Sequence, residues 1–131
     1  MVKVLDASAL IAYLEKEPGY EKVRDALSHA AEHGRNILMT TVNWGEAYYI
    51  LVRDRGFEEA ETIHTVINTF PIELVPVDLE LAKQAAIFKA TKKLPYADSF
   101  AAALSKLRKA ELLTKGKEFR LVEDEINVLW M

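Results

Sequence analysis

The chain has 131 residues, 50% of them hydrophobic, with a formal net charge of -3 and a sequence pI of about 5.6. This slightly acidic balance excludes binding to nucleic acid through bulk positive charge, so such a ligand requires a local basic patch or a metal ion. Because the chain has no cysteine, disulfides, thiolate zinc sites and cysteine nucleophiles are also excluded.

Nothing in the sequence predicts a targeting or membrane-spanning segment. Lys3 and Asp6 interrupt the N-terminal region before any long apolar run, which argues against a signal peptide. No stretch approaches the roughly 18 apolar residues of a membrane span. We therefore expect a cytoplasmic protein without membrane contact.

Short apolar runs alternate with segments of helical periodicity along the chain. The predicted strands are Val2–Leu5, Ile37–Thr40, Ile72–Val75, Glu111–Thr114 and Asn127–Trp130. The predicted helices are Ala7–Leu14, Tyr20–His33, Val42–Arg53, Phe57–Asn68, Leu79–Thr91 with Asp78 as its cap, and Tyr96–Lys109. This alternation predicts a layered α/β fold with a mainly parallel sheet of roughly five strands. Since repeats and linkers are absent, residues 1–131 are predicted to form one domain.

Three acids recur near the start of a helix. Asp6 directly follows the first strand, Glu46 lies in the first turns of the third helix, and Asp98 lies in the first turn of the sixth. Ligands of parallel sheets bind at the carboxyl edge, so we expect the two acids that follow strands to meet there. Asp98 reaches this edge only if the sixth helix starts from that side.

Each acid, taken singly, also has a purely structural explanation, because carboxylates cap and stabilise helix N-termini. Asp6 fits the cap of the first helix, and Asp98 fits a first-turn acid behind Pro95. Asn43-Trp44-Gly45-Glu46 resembles a capping box in which Glu46 reaches back to the amide of Asn43. Both explanations stay open at this point.

Hydroxyl groups lie close to these acids along the chain and can hold a carboxylate or a metal-bound water in place. They belong to Ser8, Thr40, Thr41 and Ser99. Carboxylates at close range repel each other unless a cation neutralises them, and oxygen ligands without sulfur suit Mg²⁺ or Mn²⁺. A Mg²⁺ ion held in this way can activate a water and stabilise charge on a phosphodiester. The cluster therefore indicates metal-dependent phosphate chemistry.

Four stretches of the sequence stand out as motifs: Val4–Leu10, Thr41–Glu46, Leu94–Leu104 and Glu111–Thr114. In these motifs and in their order, the chain resembles the PIN-domain ribonucleases, most closely the small single-domain type found as the VapC toxins of prokaryotic toxin–antitoxin pairs. The most specific stretch is Tyr96–Leu104. The resemblance covers nearly the whole chain, and it implies a three-layer α/β/α fold with a mainly parallel sheet between helices.

The resemblance also implies a function and a set of site residues. The expected activity is that of an endoribonuclease that uses Mg²⁺ or Mn²⁺ to hydrolyse RNA, as the toxin of a VapBC-type pair with a small antitoxin partner. Asp6, Glu46 and Asp98 are the expected catalytic acids and metal ligands. The residues expected to support them are Ser8, Thr41, Ser99, Thr114 and Glu118.

One turn departs from the family pattern. Family members usually have an acid soon after the fourth strand, in a Thr-Gly-Asp-like turn, whereas Gly116 stands at that position here. Glu118 is the nearby acid and matches a second acidic position of many members. We therefore expect one firmly held metal, with a second recruited only when RNA phosphate is present. Lys115 and Lys117 in this turn are interpreted either as contacts to RNA phosphate or as solvated charges.

Two other families that carry acids at the edge of an α/β sheet do not match these residues. A receiver-type phosphotransfer domain requires adjacent acids after the first strand, and a haloacid-dehalogenase-like phosphatase requires Asp-x-Asp, whereas this chain has Asp6-Ala7-Ser8. The alternative that stays open is a PIN-like binding or assembly module with weakened catalysis, because Gly116 replaces an acid.

The third predicted helix carries a group of aromatic residues, Trp44, Tyr48 and Tyr49, that spans more than one narrow face. Because aromatic side chains anchor interfaces, we expect at least one of them to be exposed at a homodimer or antitoxin surface.

Overall fold

The computed structural model describes residues 1–131 and contains one five-stranded sheet in which every strand pairing is parallel. The strands are β1 Lys3–Leu5, β2 Ile37–Thr40, β3 Ile72–Val75, β4 Glu111–Thr114 and β5 Asn127–Trp130. Their order across the sheet is β3-β2-β1-β4-β5, so β1 is central. The prediction of a layered α/β fold with a five-stranded, mainly parallel sheet is confirmed.

Six α-helices and one short 3₁₀ helix surround this sheet. The α-helices are α1 Ala7–Glu15, α2 Tyr20–Glu32, α3 Thr41–Arg55, α4 Phe57–Ile67, α5 Leu79–Lys92 and α6 Tyr96–Arg108. All six match predicted helices, with ends that differ by one or two residues. The 3₁₀ helix Lys117–Val122 has no counterpart among the predicted elements. None of the helices combines the length and apolar character needed to cross a lipid bilayer.

Two hydrophobic cores lie on opposite faces of the sheet, because successive side chains of a strand point to opposite sides. Val4 and Leu112 pack against α5, α6 and the 3₁₀ helix. Leu5 and Leu113, each one residue further along, pack against α1, α2, α3 and α4. This arrangement gives the three-layer α/β/α architecture.

Helix α6 is unusually deeply buried, since every residue from Ser99 to Ser105 is shielded from solvent. Three consecutive alanines, Ala101–Ala103, are fully buried in this stretch. Their small side chains let the helix lie close to the sheet, which it contacts at β1, β2 and β4. The start of α6 is thereby held against the central strands.

Side-chain caps define the starts of several helices, and one predicted cap is wrong. The prediction for α5 is confirmed, because the Asp78 carboxylate accepts a hydrogen bond of 2.9 Å from the amide of Leu81. The capping box of Asn43 and Glu46 is not formed. Helix α3 begins at Thr41, and the hydroxyl of Thr40 caps it by accepting from the Asn43 amide at 3.0 Å. Because the helix starts earlier than predicted, Glu46 lies beyond its first turn.

The strand order places a crevice at the carboxyl ends of β1 and β4. From β1 the chain passes to β2 and β3 on one side, and it returns to β4 and β5 on the other. Such a switch in direction opens a ligand site at the carboxyl edge of a parallel sheet. Asp6 follows β1 and Thr114 ends β4, so both residues lie at this crevice.

Candidate active site

Asp6 is the most deeply buried acid of the protein, with 3% of its surface exposed. Its Oδ1 caps α1 by accepting from the amide of Ala9 at 2.9 Å. Burial raises the pKa of Asp6 to about 6, although hydrogen bonds from Thr114, Ala9 and Ser8 lower it and the charge of Glu46 raises it further. The structural explanation therefore holds for Asp6, and the same carboxylate also faces other acids.

Two hydroxyl groups orient the Asp6 side chain. Thr114, which is fully buried, donates to Oδ2 at 2.6 Å, and Ser8 donates to the two oxygens at 2.9 and 3.0 Å. The amide of Gly116 in turn donates to the Thr114 hydroxyl at 2.9 Å. The carboxylate is thus fixed in one orientation, and the turn after β4 is connected to it.

Asp98 lies in the first turn of α6 and interacts with three other acids. Burial of the side chain, a hydrogen bond with Glu118 and the negative charges of Glu118, Asp6 and Glu46 together raise the pKa of Asp98 to about 8. The carbonyl of Ala97, directly before Asp98, also accepts a hydrogen bond of 3.0 Å from the side chain of Asn43 at the start of α3. Helix α6 therefore does start from the carboxyl edge, which is the condition that the sequence left open.

Glu46 and Glu118 complete the group. Glu46 is half-buried on α3, and burial together with the charge of Glu118 raises its pKa. Glu118 is an exposed residue of the 3₁₀ helix, whose turn brings the carboxylate to Asp98. We refer to Asp6, Glu46, Asp98 and Glu118 as the site acids.

The turn at Gly116 explains why Glu118 reaches the other site acids. The φ of Gly116 is -77°, so its backbone is accessible to any residue. A Cβ atom at this position would lie 2.5 Å from Oε1 of Glu118. The missing side chain at position 116 therefore leaves the space that the Glu118 carboxylate occupies.

Two hydroxyls expected to support the acids, those of Ser99 and Thr41, form no hydrogen bond with them. The hydroxyl of Ser99 donates to the carbonyl of Pro95 at 3.0 Å and holds the first turn of α6. Thr41 is exposed at the start of α3, while its neighbour Thr40 is fully buried and caps that helix. Thr40 is buried and Thr41 is exposed because adjacent side chains at the end of a strand point in different directions.

Lys115 and Lys117 flank Gly116 on the exposed surface of the turn. The ammonium group of Lys115 forms an ion pair of 2.7 Å with Glu17, and its amide donates to the hydroxyl of Ser8 at 3.3 Å. Lys117 begins the 3₁₀ helix. Their contact with RNA phosphate stays a prediction.

Asn43 is a site neighbour that the sequence did not single out for this role. Its side chain is completely buried and donates a hydrogen bond of 3.0 Å to the carbonyl of Ala97, directly before Asp98. The spacing of Thr40 and Asn43 after a strand is a local signal for the cap. The contact with α6 has no local signal, because Ala97 lies 54 positions further along the chain.

The aromatic group on α3 divides between buried and exposed positions. Trp44 and Tyr48 are half-buried and stack at 5.1 Å between ring centroids. Tyr49 is 55% exposed, with the guanidinium of Arg53 above its ring at 5.6 Å. One aromatic side chain is therefore available for a partner, and its place in an interface stays a prediction.

The donor chemistry of the site acids fits a hard divalent cation. All four donors are carboxylates, and none of them forms an ion pair with lysine, arginine or histidine. No three acidic or histidine side chains of the protein surround one point closely enough to hold an ion. The fit to a cation therefore rests on the chemistry of the donors and not on a preformed coordination geometry.

Comparison with known proteins agrees with this geometry. The family model of the PIN domain matches residues 3–125. Ribonuclease VapC30 of Mycobacterium tuberculosis is 30% identical over 124 residues, which cover 89% of this chain and 92% of the relative. Ribonuclease VapC of Mycolicibacterium smegmatis is 28% identical over 127 residues, which cover 92% and 95% of the two chains.

The fold is also found in a solved structure with little sequence identity. The crystal structure of VapBC2 from Rickettsia felis, bound to a DNA fragment from its promoter, contains a chain that aligns with a TM-score of 0.81 and 14% identity. The alignment covers 100% of this chain and 99% of the other. This likeness shows the fold, and the match of the family model to residues 3–125 shows that the chain belongs to the PIN domain family.

Proposed function

We propose that this protein is a divalent-metal-dependent endoribonuclease that hydrolyses RNA phosphodiesters as the toxin of a VapBC-type toxin–antitoxin pair. The observation that carries this proposal is the group of four site acids at one sheet edge, none of which has a cationic partner. Membership of the PIN domain family and similarity to two relatives named as VapC ribonucleases support the same reaction class.

In this proposal the metal is Mg²⁺ or Mn²⁺, and Asp6, Glu46 and Asp98 hold it. These ions prefer carboxylate oxygens and keep several water ligands, which suits a donor set without sulfur or nitrogen. When bound, such an ion activates a water for attack and stabilises the charge that develops on the phosphodiester.

The side chains around the acids have separate tasks. Asp6 presents its oxygens in one orientation, because Thr114, Ser8 and the amide of Ala9 fix it. Burial, together with the hydrogen bond and charge of Glu118, raises the pKa of Asp98 to about 8, so Asp98 holds a proton at neutral pH. That proton must leave before Asp98 can bind a cation, so binding should strengthen as the pH rises.

RNA binding is assigned to the turn after β4. Lys117 offers its ammonium group to phosphate, and Lys115 can exchange its exposed contact with Glu17 for one with RNA. An exposed ion pair of this kind contributes about 0–1 kcal/mol, so the exchange costs little. The overall negative charge of the protein is thereby offset locally.

The partners in this proposal are an antitoxin protein and a second copy of the chain. The similar structure from Rickettsia felis is of a VapBC2 assembly, which supports a partner protein. Tyr49, which is exposed on α3, is proposed to anchor one of these interfaces. A small DNA-binding protein encoded in the adjacent reading frame is the expected antitoxin, and both act in the cytoplasm.

The test is cleavage of a labelled single-stranded RNA by purified protein that has been stripped of metal with a chelator. Cleavage should be absent with chelator, return with Mg²⁺ or Mn²⁺, and be much slower on a duplex of the same sequence. Protein that binds Mn²⁺ but leaves every RNA intact would support the alternative of a binding module with weakened catalysis. Cleavage at full rate in excess chelator would exclude the proposed function.

A further inference from the structure

Asn43 is a fully buried amide whose two ends contact different elements. The hydroxyl of Thr40 donates to Oδ1 of Asn43 at 2.5 Å and accepts from the Asn43 main-chain amide at 3.0 Å. Since the main-chain carbonyl of Ala97 can only accept, the nitrogen end of the side-chain amide must face it, and Oδ1 faces β2. The Nδ2 group then points away from the cap and donates to the carbonyl of Ala97 at 3.0 Å.

This contact joins the starts of two helices that each carry a site acid. Asn43 precedes Glu46 by one helical turn on α3, and Ala97 directly precedes Asp98 on α6. Pro95, the N-cap residue of α6, has no side chain that can accept a hydrogen bond from the first turn. Among the hydrogen bonds that involve side chains, the one between Asn43 and Ala97 is the only one that joins α3 to α6.

The burial of Asn43 indicates that its hydrogen bonds are the reason for a polar residue at this position. A buried amide without partners costs free energy, so a position that serves only packing favours an apolar residue. The neighbouring residue of α3 that packs into the core, Ala47, is apolar. A polar side chain at position 43 is explained by what it holds, namely the cap of α3 and the first turn of α6.

We propose that Asn43 is a positioning residue that sets the separation between Glu46 and Asp98 and so prepares the site for a divalent cation. The inference rests on the proposed function, since the cation is the ligand that both acids serve. Asn43 itself does not touch the cation or the RNA. Loss of its Nδ2 group should let the first turns of α3 and α6 move relative to each other.

The test compares Asn43→Leu, which keeps the branched shape of the side chain at a larger volume but removes the amide, with Val23→Ala as a control for lost stability. Val23 lies on α2 and is fully buried in the hydrophobic core. For each protein the thermal midpoint, the Mn²⁺ dissociation constant, kcat and KM for RNA are measured. Asn43→Ser is the second variant if Asn43→Leu does not fold, because its short hydroxyl can still pair with Thr40 but cannot reach Ala97.

We expect Asn43→Leu to weaken Mn²⁺ binding and lower kcat by about 10-fold to 100-fold while KM for RNA changes little. Val23→Ala should lower the thermal midpoint at least as much without weakening Mn²⁺ binding. The inference is overturned if Asn43→Leu or Asn43→Ser binds Mn²⁺ as the wild type does, or weakens binding no more than Val23→Ala. If the wild type binds no Mn²⁺ at all, the proposed function fails before the role of Asn43 is at issue.

Discussion

The site acids and a second group of carboxylates, Asp124 and Glu125, differ in what surrounds them. Lys92 contacts Asp124 at 2.9 Å and Glu125 at 3.4 Å, and Lys106 contacts Glu125 at 2.6 Å. Hydrogen bonds with these lysines hold the pKa of Asp124 and of Glu125 below the usual range. We call Asp124 and Glu125 the paired acids. At the site acids the direction is reversed, because burial and mutual repulsion raise the pKa of Asp6, Glu46 and Asp98.

The contrast separates acids that stabilise the fold from acids that are kept for a ligand. A carboxylate with a lysine partner is satisfied in the protein alone. A carboxylate near three others is satisfied only by protons or by an added cation, and the protein gives up stability to keep it there. The composition of the chain does not reveal this difference, since both groups count equally toward the net charge.

Replacing Asp98 should have the largest effect. Asp98→Asn keeps the shape of the side chain but removes one charge from the site, so RNA cleavage should fall at least about 100-fold with the fold intact. Asp124→Asn is the matched control among the paired acids and should leave cleavage unchanged. Initial rates with saturating Mg²⁺ and circular dichroism of both variants provide the measurement. Wild-type cleavage by purified Asp98→Asn would place the active site elsewhere.

The second-largest effect is expected in the pH dependence of stability, which should differ between the site acids and the paired acids. The pKa of Asp98 is 3.8 in its ordinary state and about 8 in the folded protein. Between these values the folded state holds a proton that the unfolded chain has released, so the free energy of unfolding falls as the pH rises through this range. Asp6, with a pKa of about 6, adds to the decline at its lower end.

Urea unfolding in the presence of chelator is the corresponding measurement. At pH 8 to 9, Asp98→Asn should be more stable than the wild type by on the order of 1–2 kcal/mol, a figure reduced for the partial exposure of the side chain. Adding Mn²⁺ should stabilise the wild type and have little effect on the variant. A wild type whose stability rises with pH in chelator would contradict the raised pKa of Asp98.

A smaller effect is expected at Glu118, which contacts Asp98 from the exposed side. Glu118→Gln should weaken Mn²⁺ binding by about 10-fold, clearly less than Asp98→Asn, whereas Glu125→Gln among the paired acids should not change it. Loss of binding as complete as in Asp98→Asn would make Glu118 a direct metal ligand.

Substitutions at Gly116 provide a sharper test of Glu118. The backbone at this position accepts any residue, but the Glu118 carboxylate occupies the space that a side chain would need. A side chain there meets Oε1 of Glu118 at 2.5 Å, so Gly116→Ala should displace Glu118 and weaken Mn²⁺ binding about as much as Glu118→Gln does. Gly116→Asp displaces the same carboxylate but supplies another, so it should bind Mn²⁺ more tightly than Gly116→Ala. Equal binding by the two Gly116 variants would show that an acid at this position does not reach the cation.

Much of the fold could be predicted because its signals are local. The strand Ile72–Val75, for instance, is an apolar run framed by Pro71 and Pro76, and the structure reproduces its bounds. The positions of Asp6 and Asp98 at helix starts make both residues candidates. Only the resemblance to a family assigns them to a shared site, since helix capping explains each acid equally well.

What the sequence could not provide depends on distant contacts and on the direction of single side chains. The 3₁₀ helix that turns Glu118 toward Asp98 is only 6 residues long and has no periodic pattern. The contact of Asn43 with Ala97 exists only once α3 and α6 have packed on the sheet. From the sequence, either Thr40 or Thr41 could place its hydroxyl near the acids. Which of the two hydroxyls is buried depends on the residue at which α3 begins.

The smallest effect is expected for two lysines, one beside the site acids and one beside the paired acids. Lys106 is engaged with Glu125, whereas Lys117 has no ion pair and lies one residue before Glu118. Lys117→Ala should therefore raise KM for RNA by about 2-fold to 5-fold and reduce its salt dependence, since a phosphate contact contributes mainly through charge. It should not change kcat, because the ammonium group does not touch the acids. Lys106→Ala should leave KM unchanged and lower only the stability of the fold. Rates at several salt concentrations decide the matter, and a KM that rises equally in both variants would mean that RNA senses the overall charge rather than the turn after β4.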